Sequence, residues 1–242
     1  MIQTQRKGNV LEICIARLDK KNALSHAMYH DLTEAIRAAD NDPDCSAVIV
    51  YGAGGIFTAG ADINDFLKKR DDTDSPAVTF LRQLSIAQCP LIAAVEGYAI
   101  GIGATMLQHF DFVYSTPTAQ FRMPFTALGL CPEGGSSILL ERMVGIRKTM
   151  EWLLECRPFN GEEALQAGFL TALAHTGQAL DMARKTASNL GQMPASSLRR
   201  SKQLLKRASS TAISEAFDHE VKVFNACVNS EHAQNTFSRF LA

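Results

Sequence analysis

Two glycine-bearing stretches and one isolated glutamate are the residues best suited to do chemistry. The first stretch is Phe57-Thr58-Ala59-Gly60-Ala61-Asp62-Ile63 and the second is Gly97-Tyr98-Ala99-Ile100-Gly101-Ile102-Gly103-Ala104. Each follows an apolar run, so a strand is expected to end, small residues to turn the chain, and a helix to begin. Asp62 is placed to cap the helix after the first turn, leaving nearby backbone N–H groups pointing outward. Two such turns side by side aim two N–H groups at one point, the arrangement that stabilises an oxyanion. Taken singly, each stretch also reads as a plain tight turn.

The glutamate is Glu133, in Met123-Pro124-Phe125-Thr126-Ala127-Leu128-Gly129-Leu130-Cys131-Pro132-Glu133-Gly134-Gly135-Ser136-Ser137. Apolar residues precede it and a helix start follows it. A carboxylate in an apolar pocket is tuned towards proton transfer near neutral pH. The same residue also suits the N-terminus of a helix expected over Gly134–Met143. The residues alone leave both uses open.

These segments need elements to position them. Val10 to Ala16, Ala47 to Tyr51, Leu91 to Val95 and Phe110 to Tyr114 read as strands, the middle two as continuous apolar runs buried on both faces. Ser25 is placed to cap a helix reaching about Ala39, with Met28, Leu32, Ala35, Ile36 and Ala39 on its apolar face. Strands separated by helical stretches predict an α/β core. From about Gly145 strand signals vanish. Thr149–Cys156, Gly161–Ala167, Gln178–Leu190, Ala195–Ala208 and Thr211–Val228 read as helices. The expected organisation is an α/β core over 1–190 and a helical region over 191–242.

Composition narrows the classes. The 242 residues are 46% hydrophobic and 20% charged, with 24 Lys and Arg against 25 Asp and Glu, so no nucleic-acid partner is expected. No run reaches roughly 18 uncharged apolar residues, so no membrane span is expected. Neither a secretory leader nor a peroxisomal tripeptide is expected, and the six cysteines stand apart without a CxxC pair, which points to a reducing cytoplasm. No P-loop, GxGxxG, GxSxG or HExxH pattern occurs. His26 and His30 form a helical pair without an adjacent glutamate, so no metal site is expected.

Together the segments resemble the crotonase family of enoyl-CoA hydratases and isomerases. Asn22-Ala23-Leu24, Ala59-Gly60-Ala61-Asp62-Ile63, Gly97-Tyr98-Ala99-Ile100-Gly101-Ile102-Gly103, Met123-Pro124-Phe125 with Leu128-Gly129, and Phe159-Asn160-Gly161-Glu162-Glu163-Ala164 with Gly168-Phe169-Leu170 carry the resemblance in order. It implies a crotonase/ClpP-like α/β fold of repeated ββα units, with a helical C-terminal region that forms a homotrimer or dimer of trimers. It implies an acyl-CoA thioester substrate and no further cofactor. It also implies an oxyanion hole made by the backbone N–H groups of Ala61 and Ile102, the latter replacing the family's usual glycine. Ala59, Gly60, Asp62, Ile63, Gly101 and Phe125 would line the substrate and coenzyme A. Lys20 and Lys21 are either contacts to its phosphates or solvated lysines.

The two glutamates of the family's hydratases correspond to Thr105 and Phe125, neither of which can activate water. The segment Leu128 to Ser137 is similar to that of monofunctional Δ3,Δ2-enoyl-CoA isomerases of the peroxisomal type, in which the glutamate matching Glu133 is the base. The resemblance therefore implies isomerisation of 3-enoyl-CoA to 2-trans-enoyl-CoA. Weak hydration, dienoyl-CoA isomerisation and non-catalytic acyl-CoA binding are the alternatives.

Overall fold

The structure, a computed structural model, describes residues 1–67 and 73–241. Its strands are β1 (Ile2–Lys7), β2 (Val10–Ile15), β3 (Ala47–Gly52), β4 (Leu91–Val95), β5 (Tyr98–Ile100), β6 (Phe112–Ser115), β7 (Gln120–Arg122), β8 (Phe159–Asn160) and β9 (Ala172–Leu173). Its helices are α1 (His26–Asn41), α2 (Pro76–Ile86), α3 (Ile102–Thr105), α4 (Ser136–Val144), α5 (Ile146–Leu153), α6 (Gly161–Gln166), α7 (Ala179–Leu190), α8 (Ala195–Arg207), α9 (Ser210–Val228) and α10 (Glu231–Leu241).

The larger sheet runs β1-β2-β3-β4-β6-β9, antiparallel at β1–β2 and parallel beyond. The smaller one runs β5-β7-β8. Consecutive strands β4 and β5 belong to different sheets, as do β6 and β7, and a helix follows each pair. This is the ββα unit of a crotonase-type fold. Alternate residues of β3 and β4 serve two cores, as the period-2 pleat requires. Val48, Val50, Leu91, Ala93 and Val95 pack with Met28, Leu32 and Ile36 of α1. Ala47, Ile49, Ile92 and Ala94 pack instead with Ala179, Ala183 and Ala187 of α7.

The strand and helix expectations hold for most of the first half, with informative departures. Ser25 is the N-cap of α1, yet its side chain makes no capping hydrogen bond. The strand expected at Phe110 starts at Phe112, because Phe110 ends the short helical turn Met106–His109. The helix expected from Gly134 starts at Ser136; Gly134 and Gly135 have φ of 73° and 76° and form its approach. The expectation that strands end near Gly145 is corrected by β8 and β9. Both are two residues long, too short to show a period, and exist because β7 and β6 offer them an edge.

The helical tail folds back on the core. Ile213, Phe217, Val221 and Phe224 of α9 and Phe237 of α10 join the same buried cluster as β3 and β4. Gln234 Nε2 donates to Phe66 O at 2.9 Å, tying α10 to the segment after Asp62. Among the described residues no helix is long and apolar enough to cross a membrane.

Candidate active site

The two glycine-bearing turns meet through a short ladder. Thr58 bridges Ala99 in parallel, with Thr58 N–H donating to Tyr98 O at 2.9 Å and Ile100 N–H to Thr58 O at 3.2 Å. Ala61 and Ile102 stand at equivalent positions, each three residues beyond its bridged residue. Gly60 has no room for a side chain: a Cβ there would lie 2.6 Å from Ile100 O. Its φ of 96° also favours glycine, and Gly101 has φ 55° and ψ −121°, which opens the turn into α3.

The direction of the Ala61 N–H follows from a second bridge. Leu24 N–H donates to Gly60 O at 2.8 Å, and Asp62 N–H donates to Leu24 O at 2.9 Å. In a parallel bridge of this pattern the residue between the two contacts, Ala61, turns its own N–H and C=O away from Leu24. Ile102 is the first residue of α3, where an N–H lies outside the helical hydrogen-bond ladder. Ala61 and Ile102 both border one cavity of about 840 Å³.

Asn22 pins the first turn. It is fully buried with φ 60°, and its Nδ2 donates to Ala53 O at 3.0 Å and Ile56 O at 2.6 Å. Its Oδ1 accepts Arg17 N–H at 2.8 Å. Asp62 caps the turn after it, accepting Asn64 N–H at 3.2 Å, but that turn is the 3₁₀ segment Ile63–Phe66 rather than a longer helix. Burial pushes the Asp62 carboxyl up, and hydrogen bonds from Asn64 and Arg17 outweigh it to leave it below the ordinary aspartate value. The Arg17 guanidinium lies 2.8 Å away.

Glu133 borders the same cavity and is 8% exposed. Thr105 Oγ1 donates to its Oε1 at 2.9 Å. Its loop is held by one neighbouring side chain and by others from remote elements. Ser136 Oγ donates to Glu133 O. His109 Nε2 donates to Gly134 O at 2.8 Å. Glu220 of α9 accepts Gly135 N–H at 2.7 Å and Ser137 N–H at 2.9 Å. Glu220 is therefore the residue at the N-terminus of α4, a place Glu133 was also suited to fill. Burial raises the Glu220 carboxyl above the ordinary glutamate value. Complete burial, with Lys206 and Lys202 close by, pushes His109 down to about 4, so its ring is neutral at neutral pH.

The remaining expected residues also border the cavity: Ala59, Gly60, Asp62, Ile63, Gly101 and Phe125, with Lys20, Lys21 and His26. Phe125 packs edge-on against Phe224 of α9, ring centroids 6.5 Å apart, so the tail supplies part of the apolar wall. The sequence reading missed Glu220, His109 and the structural use of Thr105. Glu220 did leave a signal, since it interrupts the helical spacing Ile213, Phe217, Val221, Phe224 with a carboxylate on the buried face. Among the described residues no cluster of three or more metal-ligating side chains occurs.

A cavity bordered by two backbone turns and a buried carboxylate, on stacked ββα units, defines the class. The chain belongs to the enoyl-CoA hydratase/isomerase family, whose model matches residues 5–242. It is 31% identical over 242 residues to a probable enoyl-CoA hydratase, EchA8, of Mycobacterium bovis, covering 99% of this chain and 94% of that protein. It is 28% identical over 242 residues to enoyl-CoA delta isomerase 2 of Rattus norvegicus, covering 97% of this chain and 62% of the rat protein. The solved structure of Pseudomonas aeruginosa OdaA superposes with a TM-score of 0.95 at 36% identity, covering 99% of this chain and 98% of that one.

Proposed function

We propose that the protein is a Δ3,Δ2-enoyl-CoA isomerase using Glu133 as its single base. One observation carries the reading. Glu133 is the buried carboxylate on the cavity shared by Ala61 and Ile102, while the positions matching the hydratase glutamates hold Thr105 and Phe125. Adding water needs groups that hold and activate it, and a hydroxyl and a phenyl ring do neither. Moving a double bond needs a proton to leave one carbon and return to another.

The thioester carbonyl accepts hydrogen bonds from Ala61 N–H and Ile102 N–H. Each donor contributes about 3–4 kcal/mol to lowering the barrier as negative charge develops on that oxygen. The Glu133 carboxylate takes a proton from C2 of the 3-enoyl-CoA. The C2–H electron pair spreads into a dienolate over the carbonyl, C2, C3 and C4. The carboxyl then returns the proton to C4, leaving the double bond between C2 and C3. Phe125 and Phe224 keep water away from the dienolate. Water is neither consumed nor released, and the coenzyme A portion stays attached throughout.

The purified protein is assayed with 3-hexenoyl-CoA, with an added hydratase and dehydrogenase reporting 2-trans product. Glu133→Gln is expected to lower turnover roughly a hundredfold to ten-thousandfold while still binding the substrate. Near-normal turnover by that variant, or direct release of 3-hydroxyacyl-CoA by the wild type without added hydratase, overturns the reading.

A further inference from the structure

Thr105 stands out because it is fully buried and its hydroxyl reaches both halves of the site. Its Oγ1 lies 2.9 Å from Glu133 Oε1 and 3.4 Å from Gly101 O, the carbonyl on the turn that presents Ile102. Its carbonyl accepts Gln108 Nε2 at 3.1 Å, and Gln108 also donates to Ser136 Oγ at 2.7 Å. The main chain of Thr105 is thus tied to the loop that bears Glu133.

A hydroxyl has one proton to donate and lone pairs to accept with. Facing an ionised carboxylate, it donates to Oε1. When the other oxygen, Oε2, takes the proton, Oε1 becomes the carbonyl oxygen of the acid and still accepts from the same O–H. No heavy atom has to move between the two protonation states, and the new proton is left on the oxygen that Thr105 does not hold. A carboxylate at position 105 has no proton to donate to Oε1, and a methyl group has none either.

We propose that Thr105 is a positioning residue for the proton transfer, holding Oε1 of Glu133 in both protonation states so that the abstracted proton stays on the carboxyl until it is returned. This rests on Glu133 being the base. The bond to Oε1 restrains rotation of the carboxyl, so the carboxyl delivers its proton to C4 before exchanging it with water. The donated bond also favours the ionised form that starts the cycle.

The test uses 3-hexenoyl-CoA deuterated at C2, in ordinary water, with wild type, Thr105→Val, Thr105→Ser and Glu133→Gln. Three quantities are read: kcat, the fraction of deuterium found at C4, and the acid limb of kcat/KM against pH. Thr105→Val is expected to lose roughly tenfold to a hundredfold in kcat, the range for a hydrogen bond to a charged group. Its C4 label is expected to fall and its acid limb to move to higher pH. Thr105→Ser restores all three towards wild type. Thr105→Ala gives the same readouts should the valine variant fail to fold. Wild-type label retention with an unmoved acid limb in the valine or alanine variant overturns the role of Thr105, as does a serine variant no better than valine. Those results leave Glu133 as base, provided Glu133→Gln is inactive; an active Glu133→Gln fails the base assignment and this inference with it.

Discussion

Ala61 and Ile102, the proposed oxyanion donors, border the cavity on two backbone turns, whereas Glu133, the proposed base, borders it on a separate loop, and the two halves are held by different means. The turns are set by the Thr58–Ala99 and Leu24–Ala61 bridges and by glycines that permit close backbone approach. Among the described residues no strand pairs with the Glu133 loop. Thr105, His109 and Glu220 hold it, from segments 28, 25 and 85 residues away along the chain. A donor made of backbone tolerates a change of side chain, which is how Ile102 can stand where the family usually has glycine. A base held by side chains depends on every residue that holds it.

Apart from loss of the base itself, the largest expected effect breaks the backbone half. In Gly60→Ala the new Cβ meets Ile100 O at 2.6 Å, a main-chain atom that cannot swing aside, so the turns must separate. Loss of one oxyanion donor costs roughly a hundredfold to a thousandfold in kcat. Gly101→Ala is the control, because nothing lies within 4 Å of its Cβ and only its positive φ resists the change. Steady-state kinetics in which Gly60→Ala is no worse than Gly101→Ala would show that the close approach does not set the donors.

Next in size is an insult to the other half. Glu220→Ala leaves Gly135 N–H and Ser137 N–H without their acceptor at the buried start of α4. Each unsatisfied donor costs about 1–3 kcal/mol. The melting temperature is expected to fall and kcat to drop about tenfold or more, with KM for the acyl-CoA changing less. A variant that melts lower but keeps wild-type kcat would separate the stability of α4 from the placement of Glu133.

The same division explains what could be read in the sequence. Gly60, Gly101 and the apolar runs before them are local signals, so the turns, their strands and the residues lining the cavity were legible together. The meeting of the turns was legible only as a possibility, because the Thr58–Ala99 bridge spans 41 residues. Glu133 gained meaning through the resemblance rather than its surroundings. Glu220 and His109 lie on helical segments distant in the chain, and no local pattern says that their side chains end on one loop. β8 and β9 escaped for a related reason: a two-residue strand is created by its neighbour's free edge and not by its own residues.

The smallest expected effect concerns pH and falls on one half alone. The Ala61 and Ile102 donors are amides with nothing to titrate, whereas the Glu133 loop leans on His109. Burial lowers the folded-state value of His109 to about 4, below an ordinary value of 6.5. The neutral ring is therefore favoured by folding. Its contribution is fully present above about pH 6.5 and is lost as pH falls through about 4. At ~1.4 kcal/mol per unit, the loss reaches up to about 3 kcal/mol. Gln at this position keeps an N–H donor for Gly134 O but has no proton to gain. Urea unfolding of His109→Gln between pH 7 and 4 should show a shallower decline in stability than wild type, even if the variant is less stable at pH 7. Parallel declines would mean that His109 does not carry this pH sensitivity.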